Sequence, residues 1–308
     1  MGAVTATHTP ERWVVSSTPT RRTLFGIAFN NASGVAVGAD GCVFATGDAG
    51  RSWTLCGHGR ERLRAVAVES TGLTWVAGWR GTLLLGQPGS RDWRALDARA
   101  RVKFEALQRL DEATLLVAGS DGTILRTTDG GRTWRKTRTR CCEDLRGLAA
   151  AGPRVWAVGA HGTILVSDDH GVSWRRQQSG TSEELRAIVA ADSRFAVAVG
   201  AAGTIVRTQD GETWSPVLLE RLHANLTSRD LNSIAVSSSG VLCAAGSGMG
   251  AGYSPIIVSE DGGRSWRFEA SHTVNPLYGV AWTGTGFCAV GRFGTVVRCE
   301  LGVSAASG

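Results

Sequence analysis

Six tryptophans, Trp13, Trp53, Trp93, Trp134, Trp174 and Trp214, recur every 40 or 41 residues, and a seventh, Trp266, follows after 52. A fixed period of this length marks a solenoid, propeller or array, in which each unit buries its apolar face only against a neighbour. The repeated unit reads Leu-x-x-Ile-Ala, a variable step, Val-Ala-Val-Gly-x-x-Gly-Thr-Ile-Leu-Arg, then Thr-x-Asp-Gly-Gly-x-Thr-Trp. Each copy holds three short apolar runs separated by Gly-containing turns, with a fourth run after the Trp. No stretch sustains a helical spacing of apolar residues beyond about two turns. Four short strands per unit predict a propeller blade.

The ends of the chain predict how the ring closes. The last unit, Leu277 to Arg298, stops before its Trp, whereas Trp13 has no blade in front of it. Trp13 stands eleven residues before Leu24, the same step as Trp134 to Leu145, Trp174 to Leu185 and Trp266 to Leu277. The expected fold is therefore all-β, a seven-bladed β-propeller of four-stranded antiparallel blades, with an N-terminal strand completing the last blade. Closure of this kind removes the exposed strand edges of an open array. The blades are expected at about 24–53, 63–93, 104–134, 145–174, 185–214, 231–266 and 277–299 plus 12–16. Seven such units account for nearly all of the 308 residues, so residues 1–308 read as a single domain.

Four units carry Ser/Thr-x-Asp-x-Gly-x-Ser/Thr-Trp in full: Thr46–Trp53, Thr127–Trp134, Ser167–Trp174 and Ser259–Trp266. Thr208–Trp214 is one residue short but keeps its Asp, and Gln87–Trp93 keeps only the Trp. This pattern resembles the Asp-box (BNR) repeat of sialidases and related propellers. Asp in such a turn accepts hydrogen bonds from nearby backbone N–H groups, Gly permits positive φ, and the Trp packs between blades. Asp48, Trp53, Asp129, Trp134, Asp169, Trp174, Asp210, Trp214, Asp261 and Trp266 are accordingly read as structural. The combination of Val-Gly-x-x-Gly-Thr-Ile with Asp-Gly-Gly-x-Thr-Trp, over residues 12–299, is more similar to the photosystem II assembly and stability factor family. That resemblance implies a non-enzymatic seven-bladed scaffold that holds newly made membrane-protein subunits, with an arginine-rich face engaged in binding.

Sorting loops by face locates the candidate binding residues. The turns between second and third strands open on the same face as the blade-to-blade connections; the Asp-boxes open on the other. At those turns stand Asp40, Trp79, Arg80, His161, Arg292 and Phe293, and the first expectation is that Trp79, Arg80, Arg292 and Phe293 share a patch with Asp40 between them. Aromatic residues with Arg are what protein interfaces enrich. Blade six departs from the consensus with a 17-residue step from Trp214 to Leu231 and a long turn from Gly246 to Ile256. These insertions put Arg221, His223, Met249 and Tyr253 on one lobe, and function concentrates on loops held by a rigid scaffold. The blade connections are basic, with Arg60, Arg62, Arg99, Arg101, Lys103, Arg135, Lys136, Arg138 and Arg140. A collar of this charge suits an acidic segment of a partner.

The net charge is +6, mixed with acidic residues rather than gathered into a stripe, so no nucleic-acid partner is expected. The N-terminus has no basic region followed by an apolar one, and no apolar run approaches the roughly 18 residues of a membrane span. Seven cysteines, an odd number without repeat spacing, point to the reducing cytoplasm. No metal and no cofactor are expected. Only two tyrosines are present, Tyr253 and Tyr278, and no arginine triad with a Tyr–Glu pair of the sialidase kind is visible. The function expected is a non-catalytic scaffold for protein–protein interaction or complex assembly; the alternative is a carbohydrate-active or glycan-binding Asp-box propeller.

Overall fold

The computed structural model describes residues 13–90, 92–218, 229–248 and 252–301. Arg221, His223 and Met249 of the expected lobe lie outside them. Seven four-stranded antiparallel sheets are arranged as blades. Their inner strands are Leu24–Asn30, Leu63–Val68, Phe104–Arg109, Leu145–Ala151, Leu185–Ala190, Arg229–Val236 and Leu277–Trp282, each followed outward by the next strand in sequence. The last blade takes its outer strand from Val14–Ser17, which pairs antiparallel with Thr295–Arg298. The ring is thus closed by the N-terminal segment, as the eleven-residue step requires.

The apolar core is divided among the seams. Each of seven buried clusters joins two consecutive blades; five contain a repeat tryptophan, and the partly buried Trp134 and Trp93 pack against the other two. Trp174 packs with Leu116 and Leu148, Trp266 with Val197 and Leu242, and Trp13 with Val258 and Leu277. The period of the sequence is therefore the period of the seams, because a blade of alternating Val, Ala and Ile has two apolar faces and needs a neighbour on each.

The Asp-box turns are hydrogen-bonded alike. In blade one, Thr46 Oγ1 donates to Asp48 Oδ1 at 2.7 Å, Ser52 N donates to the same oxygen at 2.9 Å, and Ser52 Oγ donates to Asp48 Oδ2 at 2.6 Å. Asp129, Asp169 and Asp261 repeat this set. Slight desolvation raises the Asp48 and Asp169 pKa values, but donors from Ser52 and Ser173 outweigh it and hold both carboxyls at about 2; Asp129 reaches about 2 through Thr133. Groups held below their ordinary value of 3.8 stabilise the fold above that pH, and the contribution is lost as pH falls through about 2. Melting temperature is expected to drop between pH 4 and 2. It should drop less in the triple variant Asp48→Asn, Asp129→Asn, Asp169→Asn, and an identical acid profile in both proteins would contradict the assignment.

A second regularity positions the site. In all seven blades the second residue of the inner-strand motif is skipped in the pairing: Leu63 faces Gly78 and Ala65 faces Ala77, leaving Arg64 unpaired between them. Such a bulge re-aims one side chain. The facing glycine is required because a Cβ on Gly78 would collide with the Arg62 carbonyl, and the equivalent contact recurs in every blade.

Candidate interface at the channel mouth

The seven bulged residues are Phe25, Arg64, Glu105, Arg146, Arg186, Asn232 and Tyr278, and their side chains form a circuit around the loop-face end of the channel. Arg64 Nε lies 2.6 Å from Glu105 Oε2, and Arg146 Nη1 lies 3.4 Å from Glu105 Oε1. Arg146 Nε and Arg186 Nε both reach Glu184, at 2.9 Å each, and Arg186 Nη1 donates to Asn232 Oδ1 at 2.7 Å. Asn232 Nδ2 donates to the Leu277 carbonyl at 2.8 Å, Tyr278 packs on Phe25 with ring centroids 5.4 Å apart, and Arg64 lies 4.9 Å over Phe25.

The two halves of this circuit differ electrostatically. From blade three to blade six the arginines are matched by carboxylates, including Asp144 on Arg146 at 3.4 Å and Asp230 on Arg186 at 2.8 Å. Burial raises the Glu184 pKa, but Arg186 and Arg146 more than offset it and hold the carboxyl below the usual range. From blade seven through blade two the mouth is aromatic: Tyr278 stacks on Phe25, and Arg62 lies 4.8 Å from the Phe25 centroid and 4.2 Å from that of Trp79. Lys103 approaches the Trp79 ring at 5.0 Å, while Trp79 Nε1 donates to Glu105 Oε1 at 3.0 Å. Neither Arg62 nor Lys103 has a carboxylate oxygen within 4.0 Å among the described residues. Cations held over aromatic faces, without an anion of their own, leave this half with charge to satisfy.

The turn residues singled out by sequence lie around this mouth but meet different partners. Asp40 bonds Arg22 at 3.0 Å, Arg80 is 3.5 Å from Glu61, and His161 Nδ1 is 2.7 Å from Glu143. Arg292 stacks 4.6 Å over its own neighbour Phe293, which is half exposed beside Ser17–Arg21. Tyr253 packs on His272 at 5.8 Å, and its carbonyl accepts from Arg229. Of the expected patch, Trp79 alone is tied directly into the circuit. Asp40, Arg80, His161 and Phe293 occupy one turn position with φ of 51–58°. Ala202 has φ 50° at the same position, so that backbone strain belongs to the turn and is not a mark of function.

Sequence reading passed over Phe25, Arg64, Glu105, Arg146, Arg186 and Asn232. Their signal was the column itself: inside an apolar inner strand, the residue after the first Leu or Phe is polar or aromatic in every unit. Among the described residues, no three His, Cys, Asp or Glu side chains cluster as a metal would need, and no helix is long and apolar enough to cross a membrane.

A family model for the photosynthesis system II assembly factor YCF48 matches residues 5–146 and 102–245, together most of the chain. The chain belongs to this family. Two similar solved structures are YCF48 proteins. One, described as YCF48 bound to D1 peptide, is 20% identical with a TM-score of 0.76, covering 96% of this chain and 97% of that one. The other, YCF48 from Cyanidioschyzon merolae, is 19% identical with a TM-score of 0.74, covering 94% and 99%. Virginiamycin B lyase from Staphylococcus aureus, 11% identical, also reaches 0.76 over 94% and 100%. At these identities the likeness is one of fold, and a propeller accommodates unrelated chemistries. Among curated proteins none matches by sequence. Membership in the YCF48 family favours the protein-interaction scaffold over the carbohydrate-active alternative, since an assembly factor acts on other proteins.

Proposed function

We propose that this chain is a non-catalytic holding scaffold that docks an acidic peptide segment of a client protein on the aromatic and cationic half of its channel mouth, within a reducing, cytoplasmic compartment. The observation that carries this reading is the run Tyr278, Phe25, Arg62, Trp79, Lys103, in which two cations are stacked on aromatic rings and have no carboxylate partner. Arg80, Arg292 and Phe293 flank it as secondary contacts. A peptide carboxylate entering there gains charge-assisted hydrogen bonds from Arg62, and its apolar neighbours gain the exposed ring edges. The structure described as YCF48 bound to D1 peptide supports a peptide as the kind of ligand.

The acids at the mouth argue against catalysis. Glycosidase chemistry needs one carboxyl kept protonated beside another that is ionised. Glu105 is engaged by Arg64, Arg146 and the Trp79 N–H, and Glu184 by two arginines, so both carboxyls are committed to partners within the protein rather than paired across an open cleft. The aromatic faces a sugar would stack on are occupied by cations. Affinity for a labelled acidic peptide, beside a version with its acidic residues amidated, tests the reading. Binding that weakens on amidation and on Arg62→Ala supports it, whereas binding to glycans but to neither peptide would overturn it.

The compartment reading rests on seven free cysteines. Burial pushes the Cys42 thiol up to about 11 and the Cys299 thiol up to about 12, which suits inert core residues. The melting temperature is expected to be unchanged by dithiothreitol; a fall of several degrees would reveal a structural disulfide.

A further inference from the structure

The repeat allows one seam to be compared with another at equivalent positions. Between blades seven and one, Arg298 ends the third-strand motif Gly294-Thr295-Val296-Val297, Glu300 follows two residues later, and Arg51 lies three residues beyond Asp48 in the next blade's Asp-box. Both guanidiniums reach the Glu300 carboxylate, Arg298 Nη1 at 3.4 Å and Arg51 through Nη2. Between blades five and six the same positions hold Arg207 after Gly203-Thr204-Ile205-Val206, then Gln209, and Arg264 three residues beyond Asp261. The two cations are kept and the carboxylate between them is a neutral amide.

The consequences are visible in the local contacts. With the Gln209 amide oriented so that its oxygen faces the arginines, that oxygen accepts from Arg207 Nη2 at 2.5 Å and from Arg264 Nη2 at 3.1 Å. Arg207 Nε is buried without a hydrogen-bond partner. Among the described residues neither guanidinium has a carboxylate oxygen within 4.0 Å. Burial and the facing Arg264 charge lower the Arg207 pKa, only partly countered by Asp261. Asp261 and Asp210 are committed elsewhere: Ser265 donates its Oγ to Asp261 Oδ2 at 2.7 Å, and the Glu212 and Thr213 amides donate to Asp210 Oδ1 at 2.8 and 2.7 Å. A cleft of about 550 Å³ opens at this place, its polar lining made by Arg207, Gln209, Asp210, Thr213, Ser215 and Arg264.

We propose that this seam is an oxyanion site, in which a carboxylate or phosphate group from outside binds the two guanidiniums beside the Gln209 amide and supplies the negative charge that Glu300 supplies at the equivalent seam. Two guanidiniums converging on one point, with a buried N–H to satisfy, match the fork geometry by which Arg binds such groups. The site lies at the Asp-box end of the blades, away from the channel mouth, and is independent of peptide docking there.

Single-residue exchange between the two seams provides the test. The melting temperature is measured at fixed ionic strength in chloride, inorganic phosphate and glutarate, followed by calorimetric titration of whichever anion stabilises. The native protein is expected to melt several degrees higher in at least one of the two oxyanions than in chloride, and the preferred one tells phosphate from carboxylate. Gln209→Glu, which restores the internal carboxylate, should raise the melting temperature in chloride and weaken oxyanion binding at least about tenfold. Glu300→Gln should create a second site and roughly double the binding stoichiometry. Equal melting in all three salts, or undiminished oxyanion binding in Gln209→Glu, would overturn the proposal.

Discussion

Replacing Trp13 with Ala is expected to lower the unfolding free energy by about 3–5 kcal/mol, the usual range for deleting a large buried aromatic. Trp13 is only 3% exposed and packs with Val258, Leu277 and Val297 at the seam between blades six and seven. It also leads directly into the Val14–Ser17 strand that closes the ring. The effect therefore combines a core cavity with a loosened closure, leaving the Thr295–Glu300 strand with an unpaired edge that invites association. The indole N–H is buried without a partner, so no hydrogen bond is lost. For that reason Trp13→Phe should cost far less than Trp13→Ala. Denaturant unfolding of the three proteins checks this, and an unchanged midpoint in the Ala variant would contradict closure by the N-terminal strand.

The second large effect concerns binding. Trp79→Ala removes the ring on which Arg62 and Lys103 rest, and is expected to weaken peptide binding by about thirtyfold, equivalent to roughly 2 kcal/mol for an interface hot spot. Trp79→Phe keeps the stacking surface and loses only the N–H to Glu105, which Arg64 and Arg146 still hold. Its loss should be a few-fold at most. The stability of both variants should stay near that of the native protein, because Trp79 is only partly buried. A collapse of the fold in Trp79→Ala with normal binding in Trp79→Phe would assign the residue to structure alone.

Much of the architecture was legible because it is written in period. Trp recurrence gave the blade, and the step from Trp13 to Leu24 gave the closure. The Asp-box turns are local, with all donors and acceptors inside eight residues, so their chemistry could be read from spacing. The channel mouth was not legible in the same way. Its contacts join residues about one blade apart in sequence, such as Arg64 with Glu105 and Arg146 with Glu184, and no local pattern records which inner-strand residue a bulge turns toward the axis. Trp79 was visible as a large side chain at a turn, but its partner Glu105 lies 26 residues on, in the next blade. The expected patch of Trp79, Arg80, Arg292 and Phe293, with Asp40 between them, was read from the shared face of their turns alone. Local ion pairs and self-stacking give each of these residues its own neighbours first.

The most direct test of the account is a fluorescence anisotropy titration of a labelled acidic peptide against the native protein, Arg62→Ala and Arg186→Ala, at low and high salt. Arg62 stands in the half with unsatisfied charge, whereas Arg186 is matched by Glu184, Asp230 and Asn232. The account predicts salt-sensitive binding that Arg62→Ala reduces at least about tenfold and Arg186→Ala leaves within a few-fold. Binding that is insensitive to salt, or that Arg186→Ala impairs more than Arg62→Ala, would contradict the assignment of docking to the aromatic and cationic half of the mouth.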